Sequence, residues 1–210
     1  VVDETVTRPV SGLESACSEI ARELLARHPY ATQASVEASA EYFLRKGISE
    51  EKRSFEDYTL IAEARARRAA DGSVALSRSV GAEAVGMTAC PCAMETCRDK
   101  LTAQFPLLAS PDLKGLPMIT HNQRNRTRVI FDLEDSTEVE ADDVIAAIEA
   151  AQSSPTYAIL KRGDEADVVI NAHLHPKFVE DVLRDLLASL PSRFPGVSDS
   201  AVVRASTVSE

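Results

Sequence analysis

The sequence predicts an α+β protein in which antiparallel strands form the sheet and helices cover one face. Three observations carry this. Apolar and polar residues alternate with period two over long stretches between residues 34 and 84, as strands half buried on a sheet require. Apolar residues recur at helical spacing in separate blocks near residues 13–25, 144–151 and 178–190. The resulting order of helix, long hairpin, thiol-bearing turn, helix, strand, helix, helix and strand is that of antiparallel sheets with segregated helices.

Residues 1 to 10 read as an irregular lead-in. From Ser11, which can cap a helix, Leu13, Ala16, Cys17, Ile20, Ala21, Leu24 and Leu25 mark one helical face that ends near His28-Pro29. Cys17 belongs to that face, and His28 complements the helix-end carbonyls. The alternation of Ala34, Val36, Ala38, Ala40 and Tyr42 with polar neighbours predicts a strand that Gly47 ends. A polar linker over 48–54 leads to a second long strand through Tyr58, Leu60, Ala62, Ala64 and Ala66. The step Ala70-Asp-Gly-Ser73 is a hairpin signal, and Val74 to Ala84 continue the alternation. Arg65, Arg67 and Arg68 read as a solvated strand face.

The run Val85-Gly-Met-Thr-Ala-Cys-Pro-Cys-Ala-Met-Glu95 then sets two thiols in a restricted turn at a strand end. Met94, Cys97, Leu101 and Phe105 suit a short helix with Cys97 in the core. A Pro- and Gly-containing loop spans 106–119, and Val129, Phe131 and Leu133 alternate as a strand. An acidic stretch precedes the helix marked by Val144, Ile145, Ile148 and Ala151, where acids favour the dipole. A short apolar run at 157–160 leads to Lys-Arg-Gly-Asp-Glu165. Pro176 opens a helix faced by Phe178, Val182, Leu186 and Leu190, with His173 and His175 flanking its start, and residues 201–208 alternate again.

Composition narrows the function. With 23 Lys+Arg against 33 Asp+Glu the net charge is −10, which argues against a general nucleic-acid surface and asks an anionic substrate to find a local basic pocket. No apolar run reaches the ~20 residues that span a bilayer. Four cysteines, two separated by a single proline, suit a reducing compartment better than a disulfide framework, so the expected location is the cytoplasm, with no membrane partner.

A metal that activates water takes about three protein ligands from Cys, His and carboxylate and leaves one position open. Cys90, His121 and Glu165 suit this by residue type, and either Cys90 or Cys92 could be the thiol ligand. The alternatives are buried thiols with His121 at a strand start, or a closed structural zinc site on Cys90 and Cys92.

Gly86-Met-Thr-Ala-Cys-Pro-Cys92, Thr120-His-Asn-Gln-Arg124, Leu160-Lys-Arg-Gly-Asp-Glu165 and Pro176-Lys-Phe-Val-Glu-Asp181, in this order, resemble the type IB GTP cyclohydrolase family, most closely its archaeal methanopterin-pathway branch. The resemblance implies a tunnelling fold over residues 1–210, with a first module of about 1–107 and a second of about 108–210. Sheets would be completed across subunits of a homodimer or homotetramer, with active sites at subunit interfaces. It implies one divalent metal per site, Fe(II) with Mn(II) or Zn(II) as alternatives. Cys90 and His121 would be ligands, Glu165 a ligand or the holder of the metal's water, and all three catalytic. Glu180 would anchor the guanine of GTP through its N–H groups, with Gln123 also substrate-binding and Arg124 and Arg126 meeting phosphate, since guanidinium forks match phosphate oxygens. The implied reaction is hydrolytic opening of the guanine imidazole ring with release of formate. It then yields either 7,8-dihydroneopterin 2′,3′-cyclic phosphate or, in the bacterial manner, the triphosphate. A non-catalytic nucleotide-binding module of the same fold is the reading from another class. Family members also carry further segments at both ends, including a histidine-rich one after the equivalent of Glu210, so the chain is expected to be an internal portion of such an enzyme.

Overall fold

In the computed structural model, which describes residues 12–49, 52–133 and 137–210, the alternating stretches form one six-stranded sheet. Strands β1 (Gln33–Ser49), β2 (Lys52–Arg68), β3 (Val74–Ala89), β4 (Asn122–Leu133) and β6 (Val202–Ser209) are neighbours in the order β1-β2-β3-β4-β6. A two-residue β5 (Ser154–Pro155) pairs with β3 at Gly86 and Met87, and every pairing is antiparallel. The helices are α1 (Leu13–Arg27), α2 (Pro91–Gln104), α3 (Ala141–Ala151), α4 (Arg162–Leu174) and α5 (Val179–Arg193). The α+β class is therefore as the sequence predicts. None of these helices is long and apolar enough to cross a membrane.

Register assigns the two faces. Leu60, Ala82, Val129 and Ala205 stand in one row across β2, β3, β4 and β6, and directly opposed residues share a face. On that face α3 and α5 bury Val144, Ile145, Ile148, Val182 and Leu186, and the Phe131 and Phe194 rings meet at 4.9 Å. Farther along it, α1 lays Cys17, Ala21 and Leu25 on Ala62, Ala64 and Ala66 of β2, whose small side chains let the helix approach closely. Cys17 is core, as its helical position predicts, and its thiol donates to the Ala62 carbonyl at 3.7 Å.

The opposite face is polar and cross-linked by charge. Glu63, Ser79 and Asp132 form one of its rows, and the Arg204 guanidinium donates to Glu63 at 2.8 Å and to Asp132 at 2.9 Å. A cleft of about 750 Å³ lies on this side, with Glu37, Glu63, Arg65, Asp132 and Arg204 among its walls.

Several elements differ from the sequence reading. Gly47 does not end β1, and the polar linker over 48–54 is largely strand on either side of residues 50 and 51, which lie outside the described residues, as Ser11 does. The register shifts between Gly47 and Ser49, and a Cβ at Gly47 would fall 1.8 Å from the Lys52 carbonyl oxygen. The glycine permits that close approach and does not stop the chain. Gly72, at φ +85°, turns the next hairpin as predicted.

The Lys161–Glu165 segment opens a helix, α4, that the periodicity does not reveal. Val168 and Ala172 are buried on it beside Asp164, but Val169, Ile170 and Leu174 are exposed, so the apolar residues do not mark one face. His173 and His175 end that helix, donating from Nδ1 to the Val169 and Asn171 carbonyls at 2.8 and 2.9 Å. The final helix begins at Val179, three residues after Pro176. Cys97 is half-buried and Phe105 exposed, and Met94 is the one residue of α2 that is buried.

Candidate functional site

The thiol turn sits where β3 ends and α2 begins. Pro91 occupies the first helical position, which its fixed φ and missing N–H suit, and leaves Cys90 as the extended residue before the helix. The Sγ atoms of Cys90 and Cys92 lie 3.2 Å apart. The backbone N–H of Ala93, in the first turn of α2, lowers the Cys90 pKa, since it stabilises the charged form. The Cys92 thiol is pushed up by its hydrogen bond with Cys90. Of the two, Cys90 is the readier thiolate and the better soft donor.

The β3–β4 register runs to Ala89 opposite Asn122, so His121 stands beside Cys90 at the mouth of that ladder. The Cys90 N–H donates to the His121 carbonyl at 3.2 Å, and the Thr120 hydroxyl donates to the Cys90 carbonyl at 2.7 Å. Two motifs about thirty residues apart in sequence are thereby joined backbone to backbone. His121 is exposed, leaving its imidazole accessible.

The fourth motif reaches the same place. The Lys177 N–H donates to the Ala89 carbonyl at 3.0 Å, which brings the start of α5, and with it Glu180 in the first helical turn, to the end of β3. Glu180 is exposed. Asp181 accepts from the Phe178 N–H at 3.1 Å and so secures that turn.

The third motif is placed differently. Glu165 is exposed in the first turn of α4, whose neighbour Asp164 pairs with Lys52 at the start of β2. Among the described residues no group of three or more His, Cys, Asp or Glu is placed to hold a metal ion. The chain thus brings Cys90 and His121 together and does not bring Glu165 into a three-donor set with them. A thiol with a lowered pKa beside an accessible imidazole suits a borderline divalent metal such as Fe(II) or Zn(II).

Gln123 and Arg124 are both exposed, but as successive strand residues they face opposite sides of β4, opposed to Thr88 and Met87. A ligand touching both would sit at the strand's end. Arg126 is already engaged: it donates to Glu83 at 2.9 Å and to Glu210 at 3.1 Å, and these carboxylates raise its pKa further.

The sequence reading missed the support beneath the site. Asn125 and Thr127 are completely buried, and the Asn125 amide donates to Gln152 Oε1 at 2.9 Å and to the Thr207 hydroxyl at 2.8 Å. Gln152 lies against Gly86, where a Cβ would meet its Cγ at 2.3 Å. The available signal was polar residues inside an otherwise apolar alternation at Asn125 and Thr127.

Comparison with known proteins bears on this arrangement. Residues 2–206 match the family described as type I GTP cyclohydrolase folE2. The chain is 38% identical to the GTP cyclohydrolase MptA of Methanococcoides burtonii, with 100% of this chain and 68% of that protein covered. It is 37% identical to the GTP cyclohydrolase MptA of Methanosarcina acetivorans, covering 100% and 69%. It is also 38% identical to that of Methanosarcina barkeri, covering 97% and 66%. The chain therefore spans about two thirds of the length of these relatives. A solved structure of a highly active BTUO mutant aligns with the whole chain and 76% of its own at 9% identity and a TM-score of 0.47, too weak a likeness to bear on the fold.

Proposed function

We propose, because the chain belongs to the type I GTP cyclohydrolase folE2 family, that it opens the guanine imidazole ring of GTP by hydrolysis and releases C8 as formate. The product is 7,8-dihydroneopterin 2′,3′-cyclic phosphate with diphosphate, the first step of tetrahydromethanopterin biosynthesis, as the likeness to archaeal MptA proteins supports. The observation that carries the reading is the peptide joining Ala89 to Cys90. Its carbonyl accepts from Lys177, and its N–H donates to His121, so the thiol, imidazole and Glu180 motifs meet at one strand end.

Cys90 and His121 would hold a divalent metal, Fe(II) by preference, and Glu165 would complete the donor set in an assembled homo-oligomer of tunnelling-fold subunits. When bound, the metal acts as a Lewis acid and lowers the pKa of water for attack on C8. The protein's residues supply the positioning. The Glu180 carboxylate accepts two N–H bonds side by side from the guanine edge, which only a ring presenting adjacent donors satisfies. Arg124 meets the phosphate chain, held by its strand just beyond His121. Cys92, whose thiol is pushed up by its hydrogen bond with Cys90, is the poorer thiolate of the pair. After formate leaves, the ribosyl carbons rearrange to an open-chain aminoketone that closes on the freed amine with loss of water, forming the dihydropterin. The 2′-hydroxyl of the resulting side chain then attacks the α-phosphate, its proton leaves, the P–O bond to the β-phosphate breaks, and diphosphate departs.

The test is an anaerobic assay of the full-length protein with GTP and added Fe(II), following formate and weighing the pterin product. Formate with a cyclic phosphate is the expected result. Formate with a triphosphate would transfer the chain to the bacterial-type reaction, and no formate with Fe(II), Mn(II) or Zn(II) would leave a nucleotide-binding module.

A further inference from the structure

We propose that Ser153 is a positioning residue that fixes Cys90, an inference that rests on the reading of Cys90 as a metal ligand. It arises from a gap in the sheet. The β2 ladder on β3 runs only to Thr59 opposite Glu83, so the last residues of β3 lose their strand neighbour on that edge just before the thiol turn. Backbone groups left there in the interior would be unpaired, at a cost comparable to a lost hydrogen bond each.

The segment after α3 takes the place of β2. The Thr156 hydroxyl donates to the Val85 carbonyl at 3.0 Å, and the Ser153 N–H donates to the Met87 carbonyl at 2.9 Å. At Ala89 no backbone continues the ladder, and the Ser153 hydroxyl accepts the Ala89 N–H at 3.2 Å. Ala89 is fully buried and Ser153 is 2% exposed, so water is a poor substitute. Ser153 is itself held, since its carbonyl accepts from the Asn171 amide at 3.5 Å. Beyond Ala89 the peptide to Cys90 is shared between Lys177 and His121. Ser153 therefore secures the last buried N–H before the residue that carries the thiol, and removing its hydroxyl frees that residue to shift against His121.

The experiment uses the full-length oligomer without its native metal, titrated with Co(II) and read by thiolate-to-Co(II) charge-transfer absorption. Ser153→Ala is expected to weaken Co(II) binding about 10- to 100-fold, the range for partners that orient a ligand without touching the metal. Ser79→Ala, which removes a buried hydroxyl that donates to Asp132 on the far half of β3, is expected to lower the melting temperature and leave Co(II) affinity unchanged. The isosteric pair Ser153→Thr and Ser153→Val isolates the hydroxyl at constant shape. Retained Co(II) affinity with Thr and lost affinity with Val supports the proposal even if the alanine variant folds poorly. Unchanged affinity in Ser153→Ala and Ser153→Val, or an equal loss in Ser79→Ala, overturns it while leaving the Cys90 site standing. A wild-type protein without the charge-transfer band removes the site reading itself, and Ser153's role with it.

Discussion

The Sγ atoms of Cys90 and Cys92 are 3.2 Å apart across Pro91, and their environments push the two thiols in opposite directions. The Ala93 N–H favours charge on Cys90, and that charge disfavours a second one on Cys92. As pH rises, alkylation by iodoacetamide should therefore label Cys90 before Cys92, with the sites read by peptide mass. Cys90→Ala should abolish metal retention, whereas Cys92→Ala should reduce it less. Equal losses, or Cys92 labelled first, would show that the helix N-terminus does not choose between them.

Arg124 and Arg126 are two residues apart on β4 and differ in what already holds them. Arg126 bridges Glu83 and Glu210, whereas Arg124 is exposed and makes no ion pair among the described residues. Arg124→Ala should raise the KM for GTP about tenfold, the ~1.4 kcal/mol of one charge-assisted hydrogen bond. Arg126→Ala should change it little. Steady-state kinetics on both variants decides, and equal effects would remove the distinction.

The half-buried strands were legible because burial on one face writes itself as alternation, and Ala62, Ala64 and Ala66 show it plainly. Helix α4 was not, because its buried Val168 and Ala172 stand among exposed Val169, Ile170 and Leu174 and a buried Asp164, which blurs any stripe. Site residue types could be named from sequence, and the motif resemblance added Glu180. Their meeting could not be read, since it depends on register. A slip by one residue in β4 would carry Arg124 to the other face, and nothing local to residues 122–133 states that Asn122 opposes Ala89. Ser153 was illegible for the same reason: its importance comes from where β2 stops.

Asp164 accepts from the Lys161 N–H and pairs with Lys52, and the hydrogen bond from Lys52 is the main reason its carboxyl lies below the usual carboxylate range. Because the folded pKa is the lower one, the unfolded chain binds more protons as the solution becomes acid. The stabilisation is present above the ordinary carboxylate pKa and is lost as pH falls through the folded value. Asp164→Asn should therefore lower the melting temperature at neutral pH and flatten its decline toward acid. An unchanged acid slope would place the loss in other carboxylates.

Tyr42 and Tyr58 are opposed on β1 and β2, and each donates to an acid of α3, at 2.7 Å to Asp142 and at 2.6 Å to Glu149. The geometry is alike, but the surroundings are not. Tyr58 is buried, and burial together with the Glu149 carboxylate drives its pKa far up, so the phenol remains a donor at any working pH. Glu149 also takes Lys46, which leaves it a charged acceptor with two partners and little access to water. Removing the Tyr58 hydroxyl strips a hydrogen bond from a largely buried carboxylate, and Tyr58→Phe should cost about 1–3 kcal/mol. Asp142 keeps water within reach, so Tyr42→Phe should cost roughly 0.5 kcal/mol, the low end for a bond that solvent can replace. Urea unfolding of both variants measures the difference. Equal costs would mean that the low-dielectric setting of Glu149 adds nothing beyond what the exposed Tyr42–Asp142 bond supplies.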